Sequence, residues 1–288
     1  MDGAIVLSKD LKKILLANAQ IVPSSKIVTE ETGTRHRTAE RTAKQTGELV
    51  ISISQRRNII TVFKGDFRYT IEDTAKIITR ANQALQTLEN YKKVFDTKLG
   101  VLNEYEFNDI VTLDNVITCL QRAEMVMKIS EEVNRAIYEL GADGFLVKMQ
   151  LEELIENLPN EELLIIKDYM APAKRMVPEK ILNLIRQNAK DGFIDSNTIA
   201  KLLGYDVFED YEEIAVYPRG YRILNKIPRM PNAIVNNLIK TFKSFQHILA
   251  ADIQKLDEVE GIGEIRARTI KQSLRRMQEQ FMFDNLMI

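Results

Sequence analysis

Cysteine occurs only once in the 288 residues, as Cys119, so the chain cannot form an internal disulfide. The sequence also lacks a secretory signal and any apolar run long enough to span a bilayer. These absences argue against a disulfide-stabilised secreted protein and against a membrane protein. We therefore expect a reducing, cytoplasmic location and no membrane partner.

Neither sign of charge dominates the composition, since 40 Lys and Arg stand against 41 Asp and Glu. The balance is nevertheless uneven along the chain. Residues 217–276 contain twelve Lys and Arg against five Asp and Glu, a surplus of seven positive charges, which leaves about −8 on the remainder. With 45% hydrophobic residues, the chain is long enough for two or three globular domains. We expect a basic C-terminal module attached to an acidic body.

Short apolar and β-branched runs dominate the first 65 residues. Residues 5–7 and 13–17 predict a hairpin, and residues 49–54 and 59–63 predict two further strands. Between these pairs lies a helix-favouring run that Gly47 ends. The pattern predicts an α/β sheet domain that ends at residues 65–67.

The stretch that precedes this helix is dense in groups that bind anions. Glycine lets a ligand approach the backbone, and the first turn of a helix has unpaired N–H groups that favour negative charge. Arginine adds a forked donor that matches phosphate oxygens, and histidine and threonine add further donors. An ordinary solvated helix start is the alternative. The residues of this predicted phosphate cradle are Gly33, Thr34, Arg35, His36, Arg37 and Thr38.

The middle of the chain changes to a helical period. Apolar residues from Ile78 to Phe95 and from Leu113 to Leu140 recur at three- and four-residue steps, which predicts two long amphipathic helices. Shorter helices are predicted at residues 151–158, 161–169, 178–187 and 197–203, and the acidic residues 209–213 predict a linker. The predicted fold is α+β and multidomain, with an α/β domain at 1–68, a helical domain at 69–215 and a last domain at 216–288.

A glycine hairpin near the C-terminus, Gly261-Ile262-Gly263, lies between two helical patterns and resembles the helix-hairpin-helix motif. That motif brings backbone N–H groups to a DNA phosphate without reading bases. Three basic residues on the following helix would add phosphate contacts, namely Arg266, Arg268 and Lys271. Residues 227–231 look like a companion copy without the two glycines. An ordinary turn between packed helices is the alternative.

Two N-terminal motifs together resemble the diadenylate cyclase family. They are Asp2-Gly3-Ala4 and the cradle of residues 33–38, and both stand at the separation typical of the family, with the run 52–57 following them. The order of cyclase motifs, helical middle and helix-hairpin-helix resembles the members of that family that scan DNA integrity. The resemblance covers nearly the whole chain.

The resemblance implies the condensation of two ATP molecules into cyclic di-AMP with release of two pyrophosphates. Asp2 would bind Mg²⁺ or Mn²⁺ and assist the attacking 3′-hydroxyl, Gly3 would let the ribose approach, and the Ile21 backbone would border adenine. The implied catalytic residues are Asp2, Arg35, His36 and Arg37. The implied ATP-binding residues are Asp2, Gly3, Ile21, Thr34, Arg35, His36, Arg37, Thr38 and Ser54.

The same resemblance implies a homo-oligomer, an octamer in the family, because two bound nucleotides must face each other. It also implies binding of branched DNA that suppresses synthesis. In the family further helices and a strand precede the Asp-Gly-Ala motif, whereas here only Met1 does, so we expect an N-terminally incomplete cyclase domain. The alternative function is a DNA-binding scaffold whose cyclase remnant senses ATP without turning it over.

Overall fold

The computed structural model describes residues 3–54, 59–206 and 210–284. The chain forms two compact units, residues 1–80 and residues 81–288. Within the described residues, the strands lie in the first unit and the second unit is helical, so the α+β prediction is confirmed. In that part of the chain, no helix is both long and apolar enough to cross a membrane.

The first unit begins with the predicted hairpin. Strand β1 (Ala4–Leu7) pairs antiparallel with β2 (Ile14–Ala19), and the pairing register shifts between Ala4 and Leu7. A bend containing Leu11 at φ +56° joins the two strands. This ribbon is a separate sheet from the other three strands of the unit.

A three-stranded antiparallel sheet and one helix complete the first unit. The strands are β3 (Leu49–Ser54), β4 (Ile59–Lys64) and β5 (Phe67–Ile71), and helix α1 (Thr34–Thr46) contacts β3 and β4. Successive side chains of a strand point to opposite faces of the sheet. Ser52 of β3 and Thr61 and Phe63 of β4 are buried, as expected for a sheet with one buried face.

Strand β5 was missed by the sequence prediction, which ended the sheet at residues 65–67. Gly65 and Asp66 instead form a two-residue loop, with Gly65 at φ +57°, and Lys64 pairs with Phe67. Glycine in a two-residue loop followed by alternating residues is the sequence signal for a hairpin.

Among the described residues, the second unit is built from most of one long helix, ten further α-helices and a short 3-10 helix at Gly141–Gly144. The Thr112–Asn115 capping box starts helix α3 (Leu113–Leu140), and Pro178 occupies the first position of helix α6 (Pro178–Asn188), where its missing N–H is not needed. The helix predicted at residues 151–158 instead spans Phe145–Ile155, and Leu158 begins the next helix. The helices are α2 (Thr74–Asn108), α3 (Leu113–Leu140), α4 (Phe145–Ile155), α5 (Leu158–Tyr169), α6 (Pro178–Asn188), α7 (Ser196–Leu203), α8 (Tyr221–Asn225), α9 (Asn232–Phe242), α10 (Phe245–Ala250), α11 (Ile253–Asp257) and α12 (Glu264–Asp284).

The segment 210–216, predicted as part of a linker, is bound to the helical core. The Leu113 N–H donates to the Ile214 carbonyl at 2.8 Å, and the Val216 N–H donates to the Val111 carbonyl at 3.0 Å. Tyr211 and Ile214 pack against the core of α3, α5, α6 and α7. Glu209 lies outside the described residues.

A second core lies among α8 to α12, and it includes Phe107 from the end of α2. The Phe107 ring meets Phe245 edge-on at 5.2 Å and Phe281 at 5.7 Å between centroids. Helix α2 therefore contributes directly to the core that holds the C-terminal hairpins.

A buried polar network joins the two cores. The Arg222 guanidinium of α8 pairs with the Glu106 carboxylate of α2 at 2.5 Å, and both side chains are fully buried. Arg222 also donates to the Asn103 Oδ1, and the Tyr169 hydroxyl donates to Glu106 at 2.6 Å. Burial raises the pKa of the Tyr169 phenol, so it stays a donor at neutral pH.

The first prediction concerns this ion pair. Replacing Arg222 by Met would leave the Glu106 carboxylate buried without its cation, which costs about 3–5 kcal/mol. We expect the urea concentration at the midpoint of unfolding, measured from the loss of helical circular dichroism, to fall accordingly. The double variant Arg222→Met/Glu106→Leu removes both charges and should recover much of the loss.

The matched control is Arg135→Gln, which breaks an exposed pair with Glu132 at 2.9 Å. Exposed pairs contribute little, so its urea midpoint should hardly move. A midpoint for Arg222→Met as high as that of Arg135→Gln would contradict the assigned role of the buried pair.

Candidate functional site

The predicted cradle is the first turn of helix α1. Gly33 precedes the helix in an extended conformation (φ −86°, ψ 140°), and the Arg37 N–H closes the first helical bond on the Gly33 carbonyl at 2.8 Å. Gly33 is the N-cap residue of α1, and no side-chain hydrogen bond caps the helix there. The first turn contains no acidic residue. The positive end of the helix is therefore left for an external anion.

The side chains of the first turn divide by exposure. Thr34 and Arg35 are exposed, whereas His36, Arg37 and Thr38 are half-buried. The Arg37 Nη2 donates to the Thr32 carbonyl at 3.1 Å, which leaves other donors of its fork for a ligand. The five residues after Gly33 are thus brought together at one helix end.

The loop that leads into the cradle is held by the far end of the same helix. Arg41 Nε donates to the Ile27 carbonyl at 2.9 Å, and the Ser24 N–H donates to the Gln45 Oε1 at 2.8 Å. These bonds fix the path of the loop that contains Ile21, a half-buried residue. They were not predicted from the sequence, because each joins residues 14 to 21 positions apart.

Gly3 and Ala4 of the Asp-Gly-Ala motif lie at the start of the β1–β2 ribbon. The Gly3 N–H donates to the Asn18 Oδ1 at 3.0 Å, and a Cβ on residue 3 would lie 2.4 Å from the Asn18 carbonyl carbon. Close packing against β2 therefore demands glycine there, independently of any ribose. Asp2 lies outside the described residues.

Ser54 is the last residue of β3, one of the two strands that α1 contacts, and its side chain is half-buried. Residues 55–58, with Arg56 and Arg57, lie outside the described part of the chain. Among the described side chains, no group of three or more His, Cys, Asp or Glu is arranged to hold a metal ion.

The glycine hairpin joins α11 to α12 as predicted. Gly261 has φ +83°, and a Cβ there would lie 2.7 Å from the Ile234 Cδ1, so both backbone and space require glycine. Ile262 is buried and anchors the turn. Gly263 is exposed, has ordinary φ, and would place an added Cβ within 4 Å of no other atom. Nothing in the fold itself therefore requires glycine at position 263.

The companion copy is a true structural repeat, displaced by 32 residues. Leu224 and Leu256 precede the two hairpins and are both fully buried. Arg229, the counterpart of Gly261, also has positive φ, at +58°. Further pairs at the same interval are Ile227 with Val259, Val235 with Ala267, and Leu238 with Ile270, all buried.

The basic residues predicted to bind DNA already have partners inside the protein. Arg266 donates to the Gly261 carbonyl, and Arg268 pairs with Glu264 at 2.5 Å. The Lys271 ammonium donates at 2.7 Å to the carbonyls of Leu249 and Ala251, at the end of α10. Lys271 therefore has a structural role that the sequence prediction missed.

The positive surplus of the C-terminal module overstates its surface charge for the same reason. Arg222 is fully buried, and Arg219 donates at 2.6 Å to the carbonyls of Lys167 and Met170 at the end of α5. Neither cation is placed for a ligand. Counting charge along the sequence could not separate these inward cations from surface ones.

Three family descriptions match successive parts of the chain. Residues 1–67 match "DisA bacterial checkpoint controller nucleotide-binding", residues 71–211 match "DisA bacterial checkpoint controller linker region", and residues 221–276 match "SAM-like Helix-hairpin-helix tandem". The tandem match contains both hairpins of the 32-residue repeat.

Curated relatives match nearly the whole of this chain. The DNA integrity scanning protein DisA of Carboxydothermus hydrogenoformans is 52% identical over 280 residues, which are 97% of this chain and 80% of that protein. The DisA proteins of Acetivibrio thermocellus and Clostridioides difficile are 52% and 50% identical, each over 99% of this chain and 79% of the relative. With a nucleotide-binding region, a linker and a helix-hairpin-helix tandem in this order, the chain belongs to the family of DisA DNA integrity scanning proteins.

Proposed function

We propose that this chain condenses two ATP molecules into cyclic di-AMP and two pyrophosphates. The observation that carries the proposal is the first turn of α1, which concentrates two arginines, a histidine and two threonines at an uncapped helix end without an acidic residue. The match of residues 1–67 to a nucleotide-binding family region supports the same assignment.

The proposed reaction is a pair of phosphoryl-type transfers. The 3′-oxygen of each ATP attacks the α-phosphorus of the other, a P–O bond forms, and the bond to the pyrophosphate oxygen breaks while the hydroxyl proton leaves. The protein has little covalent chemistry to do in such a transfer, so it acts by positioning and by neutralising charge.

The residues of α1 suit those two tasks. The forks of Arg35 and Arg37 would hold phosphate oxygens in fixed geometry, Thr34 and Thr38 would donate hydroxyl hydrogen bonds, and His36 would donate from its ring. Ser54 would contact the phosphates from β3. The unpaired N–H groups of the helix start add donors that need no reorganisation as charge develops.

A divalent metal, Mg²⁺ or Mn²⁺, is part of the proposal. Mg²⁺ is usually held by one or two carboxylates together with substrate phosphates and waters, not by an all-protein cage. Asp2 and the phosphate oxygens would hold the ion, which would supply neutralisation of phosphate charge.

Cyclisation in this scheme needs two cyclase units facing each other, so the proposal includes a homo-oligomer. The family resemblance implies that this oligomer is an octamer. The proposal also includes control of synthesis by branched DNA held at the helix-hairpin-helix tandem. The exposed Gly263 at the start of α12 supports a contact to the DNA backbone that does not depend on sequence.

The second prediction tests the cradle with Arg37→Lys. Lysine keeps the charge but lacks the planar fork, so we expect the rate of cyclic di-AMP formation to fall about 10²-fold, the cost typical of losing one oriented donor. The assay is mass spectrometry of the product from ATP with Mg²⁺ or Mn²⁺. Melting temperature reports whether the Arg37 bond to Thr32 matters for folding.

Arg135→Gln, which removes an exposed charge from α3, serves as the control and should retain the parent rate. Parent protein that binds ATP but forms no product would instead support the scaffold alternative. An unchanged rate in Arg37→Lys, with the parent active, would remove Arg37 from the site.

The third prediction compares two alanine variants of the second hairpin. Gly263→Ala places a Cβ in open space, so the protein should melt as the parent does, while binding of a labelled four-way junction weakens because the phosphate can no longer approach closely. Gly261→Ala meets Ile234 at a left-handed residue and should lower stability by about 1–3 kcal/mol.

Fluorescence anisotropy and thermal melting give the two readouts. Gly263→Ala binding as tightly as the parent would argue that the hairpin is only a turn between packed helices.

A further inference from the structure

We propose that the first hairpin supplies a second DNA phosphate contact through the side chain of Arg229, in place of the backbone contact of the second hairpin. The inference rests on the proposed DNA binding by the tandem. It assigns a ligand to a hairpin that lacks both glycines of the motif, residues 227–231.

Pro231 prevents the first hairpin from using its backbone as the second one does. It is the counterpart of Gly263 in the 32-residue repeat and directly precedes α9. Proline has no N–H, and its ring covers the backbone at the position where the second hairpin is most open. The Val235 N–H bond to the Pro231 carbonyl, at 3.2 Å, has its counterpart in the Ala267 N–H bond to the Gly263 carbonyl, at 2.9 Å, so the difference between the hairpins is the missing N–H of Pro231 itself. The first hairpin therefore has fewer backbone donors for a phosphate.

Arg229 is the one cation at the tip of this hairpin. Its side chain is exposed, and within the described residues no hydrogen bond or ion pair engages it. The second hairpin differs, because Arg266, Arg268 and Lys271 all have internal partners. A cation with no internal partner among the described residues thus lies where the backbone donor is missing.

The backbone conformation of Arg229 adds to the contrast. Its φ of +58° is one that glycine or asparagine adopts more readily than a long side chain. Arginine therefore stands at a position where its backbone gains nothing. A role for its side chain accounts for the residue type.

The two hairpins are close enough to act on one duplex. An added Cβ at Gly261 would touch the Ile234 side chain, which lies in the first turn of α9, and the Asn237 amide of α9 donates to the Glu260 carbonyl at 2.9 Å. The second hairpin therefore packs on the helix that starts directly after the first. Arg229 and Gly263 are offered to DNA from adjacent turns.

The fourth prediction tests this with Arg229→Asn in the whole 288-residue chain. Asparagine tolerates the left-handed conformation, so the melting temperature should not fall. Affinity for the labelled four-way junction should weaken about tenfold at fixed salt, and the slope of log K against log salt should become shallower by about one, as for loss of one phosphate contact.

Two matched variants separate charge from folding. Arg229→Lys keeps a cation at the same place and should retain the parent's salt slope. Arg135→Gln removes the same charge from the helical middle and should bind as the parent does. Equal affinity and slope in Arg229→Asn and the parent would overturn the inference, as would a salt slope in Arg229→Lys as shallow as that of Arg229→Asn.

The Gly263→Ala variant distinguishes this failure from failure of the proposed function. Weak binding by Gly263→Ala with parent-like binding by Arg229→Asn would leave DNA binding in place and remove only the second contact. A parent protein that does not bind the four-way junction would overturn both.

Discussion

The Arg222–Glu106 ion pair is the interaction on which the second unit depends. Both groups are fully buried, so each has lost its hydration and neither is tolerable without the other. The pair joins α8, which opens the first hairpin copy, to the end of α2, and Tyr169 extends the network to α5. Three elements distant in sequence are thereby fixed in one arrangement.

That arrangement is reinforced at the start of α8. The Asp168 carboxylate of α5 accepts from the N–H groups of Gly220, Tyr221 and Arg222 at 2.6–2.9 Å, while Arg219 returns bonds to the carbonyls that end α5. Each helix end thus satisfies the orphan groups of the other. A hinge between the helical middle and the tandem would have to break these buried bonds together. The hairpins are therefore held rigidly against the middle helices, and DNA binding does not have to order a flexible linker.

Local pattern was enough to predict most elements of this fold, but not the contacts that position them. Helix α3 was predicted because its apolar stripe runs to a glycine, and the second hairpin because Gly261 and Gly263 lie between two helical patterns and allow a tight turn. The Arg222 network joins residues more than a hundred positions apart, so no window along the sequence contains it. For the same reason Lys271 was assigned to DNA, although its ammonium caps α10. That residues 34–38 lie together at one helix end was predictable, because they are consecutive in the sequence. The bonds that hold the loop before them were not predictable, because they join residues far apart in the sequence.

The two helix starts at the candidate sites treat negative charge differently, and the difference follows their proposed ligands. Helix α1 has no acidic residue in its first turn, which suits a triphosphate of high charge that must be held tightly. Helix α12 begins with Glu264, whose charge would repel DNA if Arg268 did not pair with it. A phosphate at Gly263 would compete with Glu264 for Arg268, so part of the attraction is lost in breaking an internal pair. The guanidinium of Arg229 has no such competitor among the described residues, so a phosphate contact there would not first have to break an internal pair.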